Sequence, residues 1–187
     1  MLFRSQYFLD NWLIFNDVDP ATVTLTGLPP DKLLPALESR SVDAIAIWEP
    51  LASAAALMLG GDAVTFVSPR VYTQHFNLVS TRATLERRDA DVTRLLRALQ
   101  RAQRAIQADP AAAQALLAAR LHVAPTLAAT VMEGQDYRVR LDQSLVTTMQ
   151  SEARWAAHGG RAGVDVLRTI DPVPLRRLDP AAVGLVQ

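Results

Sequence analysis

Trp48 and Glu49 stand side by side at the end of an apolar run, Val42 to Ile47, and a flat ring beside a carboxylate is suited to small-molecule capture. The ring can sandwich an organic ligand while the carboxylate pairs with an amine or with polar hydrogens. The same two residues also suit a structural role, with Trp48 filling space between a sheet and a helix and Glu49 favouring the positive end of that helix. Ser5-Gln6-Tyr7 forms a second candidate. A helix start offers free backbone N–H groups and partial positive charge, a seat for a sulfonate, nitrate or carboxylate.

Catalytic chemistry finds little footing. His75, His122 and His158 lie far apart and in no metal-ligand spacing, which makes them surface or packing residues. No GxSxG turn places a nucleophile, no GxxxxGK[ST] loop cradles a phosphate, and no GxGxxG follows a strand. No catalytic residue, metal or cofactor is expected. Arg94, Arg97, Arg101 and Arg104 share a helix face, but without interleaved aromatics they read as a solvated face rather than a nucleic-acid grip.

Composition sets the frame for these residues. The 187-residue chain has 19 basic and 19 acidic side chains and no cysteine, so it has neither a net field to recruit nucleic acid nor a thiolate or disulfide framework. No apolar run is long enough to span a bilayer, and Met1 to Gln6 lacks the pattern of a secretory leader.

The elements that must position the candidates follow from hydrophobic spacing. Ser5 is predicted to cap a helix running to Asn16, with Phe8, Leu9, Trp12, Leu13 and Phe15 on one stripe. Thr22–Thr26, Val42–Ile47 and Ala63–Ser68 are predicted strands, and helices at Lys32–Arg40 and Leu51–Leu59 separate them. Helix and strand in alternation give an α/β, doubly wound parallel sheet lobe over 1–80, with Trp48 and Glu49 at the strand end where ligands sit in such sheets. Phe76–Thr81 is one more predicted strand. A mainly helical region follows over 81–187: Asp91–Ala108, Ala111–Leu121, Pro125–Glu133, a brief extended piece at Tyr137–Leu141, and a helix capped by Asp142 and ending at Gly159-Gly160. The remainder reads as a proline-punctuated tail.

Several stretches, taken in order, resemble one family. Ser5-Gln6-Tyr7-Phe8-Leu9, the Asp19-Pro20 turn, Leu28-Pro29-Pro30, Val42-Asp43-Ala44 with Trp48-Glu49-Pro50, Phe76-Asn77-Leu78-Val79, Leu141-Asp142-Gln143-Ser144-Leu145 and Glu152-Ala153-Arg154-Trp155-Ala156 are similar to the periplasmic substrate-binding proteins of nitrate, taurine and alkanesulfonate ABC importers. The resemblance implies a type II periplasmic-binding fold, a periplasmic location, a small anionic ligand, a membrane permease as partner, and no chemical step. It implies that Ser5 and its neighbours receive the anionic head, that Trp48 and Glu49 line the cleft opposite, and that Phe76 and Asn77 fall near the crossover between lobes. A plain hinge strand is the competing account of Phe76 and Asn77.

The family pattern places glycine where this chain has Arg4 and Ser41, and a long first lobe ahead of the Ser5 position. Residues 1–80 would then be most of a second lobe, and 81–187 helices that return to a first lobe. A fragment, or a homodimer joined through the apolar face of the Asp91–Ala108 helix, is the expectation that follows. Two other functions share the fold: a thiamine-precursor-related enzyme or binding protein, which would need a histidine cluster in the cleft, and a cytoplasmic effector-sensing module.

Overall fold

The computed structural model describes residues 3–66, 73–133, 135–157 and 164–185, with side chains from Ser5 onward. The chain divides into two compact units, Met1–Thr73 and Gln74–Gln187.

In the first unit, α1 spans Phe3–Phe15, α2 Pro30–Glu38 and α3 Leu51–Leu59, with single 3-10 turns at Pro20–Thr22 and Gly60–Asp62. Proline opens α2 because its missing N–H would have no partner in a first turn. Gly60, at a φ of 56°, closes α3 in a conformation that costs a residue without a Cβ nothing. Tyr7, Leu13, Leu33, Ala36 and Ala55 make the buried core, so each helix contributes to it. Trp12 and Phe66 add a tilted ring pair with centroids 5.1 Å apart.

The second unit is built on α5, Asp89–Ala108, which follows the short α4, Arg82–Arg87. Packed against α5 are α6, Pro110–Leu121, and α9, Val173–Leu178; α7, Pro125–Met132, packs on α6. Asp89 and Asp91 occupy the first turn of α5, where negative charge suits the helix dipole. Arg177 on α9 reaches Asp89 at 3.2 Å, and Gln114 on α6 donates to the Pro125 carbonyl at the head of α7. Leu141–Asp142, β1, runs directly into α8, Gln143–Ala157, and pairs in parallel with β2, Val183–Gly184, in the register Leu141 to Val183 and Asp142 to Gly184. The core here is Leu96, Ala118, Ala128, Leu145, Val146, Val166 and Leu175, with Val146 only 1% exposed.

Two local expectations need correction. Ser5 is the third residue of α1 rather than its cap: Phe3 and Arg4 themselves take helical geometry, and a side-chain capping preference does not outweigh that. Over residues 164–185 the proline-punctuated tail carries regular structure, because Pro174 lies in the first turn of α9 and Pro180 opens a 3-10 turn that leads into β2.

The four segments read as strands have no strand assignment among the described residues. Pro20–Thr22 is a 3-10 turn, residues 24–29, 44–48, 63–66 and 73–80 run without a ladder, and Val67 and Ser68 lie outside the described residues. A buried strand is defined by partners on both sides, and β-branched composition alone does not supply them.

No single helix among the described residues is long and apolar enough to cross a membrane.

Candidate functional site

Glu49 is the candidate whose contacts are best defined. Its Oε2 accepts a hydrogen bond from the Ser53 backbone N–H at 3.1 Å. Around it, Leu51 and Ala52 donate to the Trp48 carbonyl at 3.1 and 3.3 Å, and Ala54 donates to the Pro50 carbonyl at 3.0 Å. The N–H groups a helix start ordinarily leaves open are thus all engaged in α3. No acidic residue lies within the first turn, and Pro50 offers no side-chain bond, so Glu49 supplies the capping carboxylate from just outside. Glu49 is half-buried, and its second oxygen, Oε1, is not engaged by Ser53. Trp48 beside it is 41% exposed, a partly open ring rather than a core side chain.

The Ser5-Gln6-Tyr7 stretch lies in the first two turns of α1. Ser5 and Gln6 are half-buried and Tyr7 is buried at 5% exposure within the core of the first unit. Ser5 stands at the third position of α1, in its first turn. The Tyr7 carbonyl accepts from Asn11 Nδ2 at 2.6 Å. Residues 1–73 hold 4 basic and 8 acidic side chains, so an anion gains nothing here at long range and its capture depends on donors in direct contact.

Phe76 and Asn77 belong to the second unit. Both are exposed, Phe76 at 77%, on a segment without helix or ladder over 73–80. Beside them, His75 Nε2 lies 3.2 Å from Ser144 Oγ at the start of α8. Nothing in the sequence points to this contact, since the spacing of the three histidines gives only surface or packing residues. His122 ends α6 in the left-handed region at a φ of 55°, and His158 lies outside the described residues.

A polar row around β1 was also missed, although the alternation Asp136, Arg138, Arg140, Asp142 is a readable signal. Arg138 binds both oxygens of Asp136, and Arg140 bridges Asp136 at 3.0 Å and Asp142 at 2.8 Å. The Arg138 hydrogen bond first, against an opposing push from burial, and then the charges of Arg140 and Arg138 hold the Asp136 carboxyl below the ordinary range. Asp142 is lowered first by the Ser144 hydroxyl, against an opposing push from burial, then by Arg140 and by the backbone N–H groups of Leu145 and Ser144. Asp142 is thereby the cap of α8, as its position before that helix predicts. Its carboxylate occupies the place an anion would take at that helix start. Among the described residues no group of three His, Asp or Glu could hold a metal ion.

No curated protein and no solved structure matched the chain. The model of the NMT1-like family matches residues 4–122, a stretch that contains Ser5 to Tyr7, Trp48, Glu49, Phe76 and Asn77. That family falls within the nitrate-, taurine- and sulfonate-binding periplasmic proteins, whose members are generally binding proteins rather than enzymes. The chain belongs to the NMT1-like family.

Proposed function

We propose that this chain is the solute-binding component of an ABC importer and captures a small anion, a sulfonate, taurine, nitrate or similar, without chemistry. The observation that carries this reading is the family match over residues 4–122, which takes in every candidate ligand residue. In this reading the fold is an incomplete type II periplasmic-binding fold, with an α/β second lobe at 1–80 and a helical region at 81–187. Its place is the periplasm and its partner a membrane permease.

The division of labour follows from the site chemistry. Ser5 and Gln6, in the first turn of α1, receive the anionic head; Tyr7 holds that turn from the core. Trp48 supplies a face for the carbon skeleton, and the second oxygen of Glu49 pairs with an amine when the ligand has one. The family resemblance alone assigns Phe76 and Asn77, which lie in the second unit, to ligand contact. The partly exposed Leu95 and Leu99 on α5 form the surface for a homodimer.

The test is a thermal-shift screen over nitrate, bicarbonate, taurine, alkanesulfonates, aromatic acids and thiamine precursors. A ligand held only by the folded state at a hundred times its Kd adds about 2.7 kcal/mol, which for a chain of this size raises Tm by roughly 5–11 °C. A rise with a sulfonate or nitrate supports the reading. A flat response to every anion, with a rise for a thiamine precursor, replaces it with the precursor-binding alternative.

A further inference from the structure

The segment 73–80 presents Phe76, Leu78 and Val79 to solvent without a helix or ladder to hold it. Among the described residues its one hydrogen bond to a distant part of the chain is that of His75 to Ser144, 69 positions away. The far end of that bond is well anchored. Ser144 is the second residue of α8, next to the buried Leu145 and Val146, and its N–H and Oγ both bond to Asp142 Oδ1. Asp142 is fixed in turn by Arg140 at 2.8 Å and by the pairing of β1 with β2.

The donors and acceptors in this row leave one arrangement at neutral pH. An ionised carboxylate only accepts, so the Ser144 hydroxyl proton points at Asp142. Ser144 Oγ then offers a lone pair to His75, and the ring nitrogen that faces it, Nε2, must carry the hydrogen. The other nitrogen, Nδ1, is buried and has no partner among the described residues, so the ring is held by one edge. We infer that His75, as the Nε2–H tautomer, is the positioning residue that fixes Phe76 and Asn77 by clasping their segment to Ser144 and Asp142. The value of that position rests on the ligand-binding reading above; the clasp itself does not.

Nitrogen NMR of the labelled chain tests it, with the His75 signals identified by their loss in His75→Phe. The expected result is the Nε2–H pattern at neutral pH, together with backbone order parameters at Phe76 to Val79 that fall in both Ser144→Ala and His75→Phe. Those at Leu145 and Val146 should hold, Ser144→Thr should restore the segment, and the double variant should fall no further than either single one. An Nδ1–H pattern in the native chain, or unchanged order at Phe76 to Val79 in both single variants, overturns the inference. Titration with taurine or nitrate separates it from the reading it rests on. If the native chain binds neither these nor any other anion of the thermal-shift screen while the NMR results hold, the transport reading fails and the clasp stands. If the native chain binds and Ser144→Ala binds as tightly, the positioning role is overturned.

Discussion

Glu49 joins two functions that a pair of substitutions can separate. Its Oε2 accepts the Ser53 N–H at 3.1 Å, and in the proposed reading the same carboxylate pairs with an amine of the ligand. Glu49→Ala removes the side-chain cap of α3, whose N-cap residue Pro50 makes no side-chain bond that would replace it. Loss of a capping side chain costs about 0.5–2 kcal/mol, typically about 1. A unit the size of residues 1–73 loses roughly 4–8 °C of Tm per kcal/mol. Glu49→Gln keeps an amide oxygen for Ser53 and gives up only the charge at the helix start, about 0.3–1 kcal/mol and screened by salt.

The expected order of stability is therefore native, then Gln, then Ala, with the gap between native and Gln closing in high salt. Calorimetry of the three chains at low and high ionic strength reads this directly. A Glu49→Ala chain that melts with the native one would show that α3 does not depend on this cap, and the reasoning would fail. In the binding arm, Glu49→Gln should weaken an aminosulfonate more than a plain alkanesulfonate, because only the former has an amine to pair with the carboxylate. Equal weakening of both would reject the pairing.

Val146→Ala removes two methyl groups from a side chain of the second unit that is only 1% exposed and should cost about 2 kcal/mol by urea denaturation, whereas Leu57→Ala on the open face of α3 should stay within about 0.5 kcal/mol. Acid should weaken the second unit through Asp136 and Asp142. Both carboxyls lie below their ordinary value in the folded chain, so their contribution is complete above that value and is lost as pH falls through the lowered one. Asp142→Asn should flatten that part of the pH profile; an unchanged profile would remove Asp142 from the account. His122 sits at a φ of 55°, a strain of about 1–2 kcal/mol for a residue with a Cβ. Part of the relief is offset by greater freedom of glycine when unfolded, so His122→Gly should raise stability by up to about 1 kcal/mol.

Helices were legible because their signals are local. The periodicity of Leu95, Leu96, Leu99 and Ile106 and the stop at Asp109-Pro110 place α5 within two residues of Asp89–Ala108. Pro125 marks the start of α7, and the Leu51–Leu59 helix falls where its composition put it. Short α4 and α9 escaped because six residues give too little periodicity to read. Val42–Ile47 has the composition of a buried strand, yet pairing is a property of the neighbours, and its residues are half-buried or exposed without a ladder. At the candidate site, the adjacency of Glu49 to a helix start was readable from Pro50 and the alanines after it. The contact between His75 and Ser144 was not, since nothing local in either residue announces a partner so far along the chain.

The closed start of α3 has a bearing on selectivity. A sulfonate or nitrate group arriving there would meet a carboxylate already seated and no amide hydrogen left to receive it. The neighbourhood of Trp48 is consequently repellent to the acidic end of a solute and hospitable to its opposite end. A zwitterion would be oriented by that difference, whereas a bare inorganic oxyanion would find no welcome on this side and would depend wholly on donors elsewhere.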